Sequence, residues 1–251
     1  MNYEIDVQLL KSRSSDLSFY TRNGKQFVKR KSRVSSDRLK NGPEYRLFRQ
    51  HQQDFKLAAS SSKLLRNAFA PLLKGVTDSN CFSRLTAQVL KVVKSDTKNS
   101  SGQRNILDGD LNLLRGFEFN AKCPLSQVLG TAFQVSTDAE GSTLNLVLPA
   151  LISPKKMPAH EDASHFRLVV GLAAIDFTSG TYQTILTHSE QMPIAGNFSR
   201  TIQAFCQLEE LSPHPKFVVL GVAFSQQVKG GFEVLPDAAF NPLCLIEVVV
   251  S

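Results

Sequence analysis

Phe166 to His188 reads FRLVVGLAAIDFTSGTYQTILTH. Two apolar, β-prone runs, Phe166–Ile175 and Tyr182–His188, flank the turn signal Thr178-Ser179-Gly180. That is the pattern of paired strands rather than of a helix. The same grammar continues in both directions. Phe117–Asn120, Ala132–Ser136, Thr143–Leu148, Arg200–Gln207, Phe217–Phe224, Phe232–Leu235 and Cys244–Val250 are further candidate strands. Asp138-Ala139-Glu140-Gly141 and Lys229-Gly230-Gly231 are further turns between them. No helical pattern interrupts this series, which excludes a doubly wound α/β fold and points to an antiparallel β-sandwich of roughly seven to nine strands. The apolar run Leu245–Val250 is expected to be a central strand of that sandwich, with strand donation to a neighbour as the competing reading.

Upstream the grammar is different. Leu17–Arg22 and Lys25–Arg30 flank Asn23-Gly24, the dipeptide that best supplies the two positive φ angles of a tight hairpin turn. Lys31–Gly42 is basic and Ser-rich. From Pro43 the apolar residues Tyr45, Phe48, Phe55, Ala59, Leu65, Phe69 and Leu72 recur at spacings of one helical face, and Pro71 is expected to end or kink that helix near Phe69-Ala70. A second helix is expected over Ser79–Lys94, with Phe82, Leu85, Val89 and Val92-Val93 on its apolar side. Residues 95–116 are polar and rich in Gly, Asn and Asp, so they mark a domain boundary. The sequence thus specifies an α+β protein: a β-hairpin plus αα-hairpin in residues 1–116, followed by the β-sandwich in 117–251.

Charge follows the same division. The 251-residue chain carries a formal +7, which splits into +12 over residues 1–116 and −5 over residues 117–251. A positive region of this kind attracts polyanions. Opposite ends of one chain also attract copies of the same protein head to tail, and a basic helical face that simply solvates itself is the plainest reading. Between Lys11 and Arg49, 12 Lys and Arg face only Asp16, Asp37 and Glu44, with Phe19, Tyr20, Phe27 and Tyr45 interleaved. Arg22, Lys25, Lys29, Arg30, Lys31 and Arg33 are the residues expected to contact a protein partner or nucleic acid. Cations with aromatics hold single strands by phosphate contact and stacking, yet no nucleic-acid-binding motif is present, and alternating aromatics also suit a hairpin core.

Catalytic and cofactor signatures are absent. There is no GxSxG, GxxxxGK[ST] or GxGxxG. Cys81, Cys123, Cys206 and Cys244 form no CxxC pair and sit among apolar neighbours, as buried reduced thiols do. His160 and His165 bracket Glu161-Asp162, but in a Pro-containing loop that does not align metal ligands; His51 is expected to be exposed, and His188 and His214 to be structural. Asp108-Gly109-Asp110 lacks the remaining ligands of a calcium loop and reads as a turn. No cofactor, metal or enzymatic activity is expected. The amino terminus has no signal-peptide h-region, and no apolar run is long enough to insert in a membrane, so a cytoplasmic protein is expected unless it leaves as part of an assembly.

FYTRNGKQFVKRKS, EYRLFRQHQQDF and NILDGDLNLLRGFEFN together resemble uncharacterised bacterial hypothetical proteins that open with a basic Asn-Gly hairpin. The resemblance covers about the first 120 residues and brings no site residues with it. It implies a bacterial protein of structural type. The expected function is therefore a non-enzymatic structural or assembly protein that contacts other protein subunits through its basic hairpin-helix region. The alternative is a nucleic-acid-binding protein using the same cations.

Overall fold

The computed structural model describes residues 16–31, 34–74, 76, 78–129, 134–137, 143–148, 159, 161–194, 202–207, 214–235 and 240–250. It is a mixed α+β structure built around a large antiparallel sheet, with a two-stranded hairpin near the amino terminus. The chain forms two compact units, residues 1–50 and residues 51–251.

In the first unit, β1 (Leu17–Arg22) and β2 (Lys25–Arg30) pair in antiparallel register from Leu17 opposite Arg30 to Arg22 opposite Lys25. Asn23 (φ 50°) and Gly24 (φ 73°) close the turn with the two positive angles that Asn-Gly makes cheap. The short helix α1 (Ser36–Asn41) follows, its first turn capped by Ser35, whose hydroxyl accepts from the Arg38 N–H at 3.2 Å.

Helix α2 (Arg46–Ala68) runs on to the α-helical turn α3 (Ala70–Leu73), with the break at Phe69 where Pro71 forbids continuation. Helix α4 spans Cys81–Ser95. The expected face is present at Leu65 and at Phe69 just beyond α2, but the earlier turns of α2 turn a different side inward. Phe48 and Phe55 are exposed, and the buried positions are Asp54, Ala58, Ser61, Ser62, Leu65 and Ala68. Small residues let α2 approach its neighbours closely, and the Ser62 hydroxyl meets that of Thr86 in α4 at 2.9 Å. On α4 the expected face is present at Leu85, Val89, Val92 and Val93, while Phe82 is exposed beneath the Arg66 guanidinium, 4.4 Å from its ring centre.

All nine expected strands form: β3 (Phe117–Glu118), β4 (Gln134–Thr137), β5 (Thr143–Leu148), β6 (His165–Asp176), β7 (Thr181–His188), β9 (Ile202–Gln207), β10 (Lys216–Val228), β11 (Gly231–Val234) and β12 (Leu243–Val249). The short β8 (Met192–Pro193) and the one-turn helix α5 (Leu125–Leu129) were not legible as elements, being two and five residues long. The large sheet has the order β3-β12-β10-β6-β7, with β11 paired to β10 and β8 to β6. It is open, not closed. β4, β5 and β9 make a separate three-stranded sheet. β12 lies inside the large sheet, paired with β10, so this run serves its own chain.

Alternation along the strands sorts the interior into two layers. Ala173, Ile175, Phe217, Val219, Leu243, Leu245 and Val248 face a core shared with Leu65, Phe69, Leu85 and Val89 of the helical region. Phe166, Leu168, Val170, Leu172, Val218, Leu220, Val222 and Phe224 face a second core with Leu125, Val128 and Leu129 of α5. A bulge in β12, where Val218 pairs with Glu247 but Val219 with Leu245, adds one residue. It brings Val248 onto the same side as Leu245 despite their three-residue spacing.

The expected boundary near residue 116 runs through the first of these cores, because Ile106, Leu111, Leu114 and Phe117 all belong to it. The polar 95–116 segment is a structured connection. Asp96 accepts hydrogen bonds from the backbone N–H groups of Lys98, Asn99 and Asn105. Buried Asp54 accepts from Ser101, the Gly102 N–H and Arg104 at 2.9–3.1 Å.

Candidate interaction surface

The hairpin register divides its residues between two faces. One carries Tyr20 opposite Phe27, with Arg22 opposite Lys25 toward the turn and Ser18 opposite Lys29 on the other side. The Tyr20 and Phe27 rings stack with centroids 5.5 Å apart and planes 20° from parallel. Both are more than 40% exposed. The Lys29 ammonium lies 5.6 Å from the Tyr20 ring centre. An exposed aromatic pair is thus flanked along the strands by Arg22, Lys25 and Lys29. The other face pairs Phe19 with Val28 and Leu17 with Arg30.

Of the six cations read from the sequence, Arg22, Lys25 and Lys29 share the aromatic face. Arg30 takes the opposite face. Lys31 follows the strand, its N–H donating to the Asp16 carbonyl at 2.7 Å. Arg33 lies outside the described residues. Among the described residues, no carboxylate forms an ion pair with Arg22, Lys25, Lys29 or Arg30. Two other cations of the same unit are occupied: Arg38 pairs with Glu44 at 2.6 Å, and Arg49 donates to the carbonyls of Leu39 and Gly42. Sequence alone cannot separate these groups, because the distinction depends on which strand face or helix turn each residue occupies.

Other chemistry-bearing residues resolve into local structure. Asp176 accepts from the backbone N–H groups of Thr178 and Ser179, which holds the β6–β7 turn. The Ser179 hydrogen bonds, first the side chain and then the backbone, hold its carboxyl below the usual range. His214 stands 3.5 Å from Asp176 on the rim of a shallow recess with Thr181 and Tyr182. His165 bonds to the Ser164 hydroxyl at 2.9 Å and meets the Phe232 ring edge-on, and His51 is exposed. His160 is outside the described residues. Asp108 binds Lys98, and Asp110 caps a 3-10 turn by accepting from the Asn112 N–H. Among the described residues no group of three or more His, Cys, Asp and Glu is arranged to hold a metal.

Cys81, Cys123 and Cys244 are free and buried. Burial pushes the Cys81 and Cys123 thiols up to about 11 and raises Cys244 further, the opposite of what an activated nucleophile needs. Nothing is described of the Cys206 side chain. No helix among the described residues is long and apolar enough to cross a membrane.

No family model, curated protein or solved structure matches this chain.

Proposed function

We propose that this chain is a non-enzymatic structural or assembly protein that binds other protein subunits through its basic amino-terminal unit. The observation that supports this reading is the hairpin itself. It carries exposed apolar side chains on both faces, Tyr20 and Phe27 on one and Val28 on the other. Two-stranded hairpins are marginal in water alone, so cover by a partner would stabilise it. Arg22, Lys25 and Lys29 would select an acidic partner surface. β4–β5–β9 would form a partial second layer, a reading supported by the partly buried Val135 of β4, which packs against the second core.

The test is the native mass of nuclease-treated protein at low and high salt. Assemblies larger than those of the triple variant Arg22→Glu, Lys25→Glu, Lys29→Glu are expected at low salt. Equal masses for the two proteins across the salt range would overturn the proposal.

The stacked Tyr20–Phe27 pair favours a second reading, single-stranded nucleic acid bound across the aromatic face. Three phosphate contacts would give a log K against log salt slope of roughly −2 for a labelled oligonucleotide. Tyr20→Ala would weaken binding by about 1–3 kcal/mol. A slope near zero, or affinity untouched by Tyr20→Ala, would remove this reading.

A further inference from the structure

We propose that the outer edge of β7 pairs antiparallel with β7 of a second copy of this chain, joining two large sheets across a two-fold axis. Among the described residues β7 ends the strand order, and no strand pairs beyond it. β9 of the smaller sheet approaches β7 without pairing to it.

The Ser189 N–H donates to the Leu168 carbonyl at 3.0 Å, one step past the His188–Val169 pair. Bonded and non-bonded pairs alternate in an antiparallel ladder. Thr181, Gln183, Ile185 and Thr187 therefore bond to β6. The backbone N–H and C=O groups of Tyr182, Thr184, Leu186 and His188 point away from β6, toward the edge that no strand among the described residues pairs.

Natural edges are normally guarded by charge, proline or extreme shortness. The opposite side of this sheet is guarded in that way. β3 covers β12 for only two residues, and further along β12 Glu247 is ion-paired with Arg115 at 3.0 Å. β7 has none of these guards: TYQTILTH is eight residues without Lys, Arg, Asp, Glu or Pro.

The occupant follows from charge and register. A copy of a neutral strand meets no like charge on pairing, whereas a charged strand would repel itself. With Thr184 opposite Thr184 on the two-fold axis, the outward backbone groups of both strands face each other. Tyr182 of each copy then lies opposite Leu186 of the other. These are the exposed large apolar side chains of β7, at 43% and 40%. The arrangement gives Tyr–Leu and Thr–Thr cross-strand pairs and an isologous interface, the commonest kind in soluble oligomers.

Leu186→Pro provides the test, because the lost N–H is an outward one that β6 does not use. At high micromolar concentration in high salt, where contact through the hairpin is screened, the full chain should have a two-chain mass. Leu186→Pro, with an unchanged circular dichroism spectrum, should have a one-chain mass. Tyr182→Lys with Leu186→Lys places like charges opposite each other and should also be single. Mixing it with Tyr182→Glu, Leu186→Glu should restore a two-chain species. If Leu186→Pro unfolds, the Lys and Glu pair decides. A one-chain wild type, a folded Leu186→Pro that remains two-chain, or a mixture that stays single would each overturn the proposal. Charge reversal at Arg22, Lys25 and Lys29 should leave this species intact, which separates it from assembly through the hairpin.

Discussion

Gly171 lies on the sheet beneath Phe69 and Leu72 of the helical region. A Cβ placed there would lie 2.8 Å from a Val219 methyl, 2.9 Å from Leu72 and 3.2 Å from Phe69. Gly171→Ala should therefore destabilise the protein by roughly 1–3 kcal/mol through overpacking, read as a lower urea midpoint at unchanged slope. Asp54 is the polar counterpart. It is 2% exposed and pairs with Arg104 at 3.0 Å, so Asp54→Ala leaves a guanidinium without its carboxylate. Loss of one partner from a buried pair costs about 3–5 kcal/mol, and the same denaturation measures it. Asp96 predicts a pH dependence. Hydrogen bonds, foremost from the Asn105 N–H, hold its carboxyl at about 2 against an ordinary 3.8. A depressed folded-state pKa stabilises above the unfolded value, and that stabilisation fades as pH falls from about 4 toward 2. In melting temperature against pH, Asp96→Asn should flatten this acid limb and lower the plateau. A limb as steep as that of the wild type would assign the acid sensitivity to other groups.

At the scale of elements, strands were more legible than helix faces, for a physical reason. A strand repeats every two residues, and in β6 and β10 nearly every position is apolar because both sides of the sheet are covered. α2 hid its orientation. Its inward side is made of Asp54, Ala58, Ser61 and Ser62, whose burial comes from close packing and an ion pair, while its phenylalanines face outward. Periodicity of hydrophobicity cannot register an interior of that composition. The polar 95–116 segment likewise carries order that its composition does not announce, since Asp96 accepts from the backbone N–H groups of Asn99 and Asn105. Of the candidate site, the six cations were visible, but their sorting by face depended on register. That register rests on the turn. Gly24 has φ 73°, so Gly24→Val forces a β-branched residue into a left-handed conformation at a cost of about 1–2 kcal/mol. Cross-strand NOEs between Phe19 and Val28, opposite one another in the wild type, should weaken or vanish. NOEs of wild-type strength would show that strand pairing, rather than the turn, sets the register.

For the whole molecule, the compact units redraw the charge map. Residues 1–50 hold 12 Lys and Arg against 5 Asp and Glu, while residues 51–251 hold 17 of each, so the entire +7 belongs to the first unit. The −5 of residues 117–251 is offset within the second unit by the basic residues of its own helical region. Head-to-tail attraction therefore has no net-acidic unit to act on and would need a local acidic patch. The two proposed contacts also respond differently to ionic strength. Strand pairing at β7 uses backbone hydrogen bonds and neutral side chains, so salt leaves it nearly unchanged. A contact through Arg22, Lys25 and Lys29 is screened once the Debye length falls from about 10 Å at 0.1 M to about 3 Å at 1 M. A two-fold contact combined with a second, heterologous one builds species larger than two chains, as closed rings or open filaments. Light scattering during a salt titration should accordingly show large species at low ionic strength collapsing to a two-chain plateau, not to single chains, near 1 M. Leu186→Pro should lower that plateau to one chain, while reversal of the three hairpin charges should give the plateau at every salt concentration. Collapse of the wild type directly to single chains would remove the β7 contact and leave the hairpin contact standing.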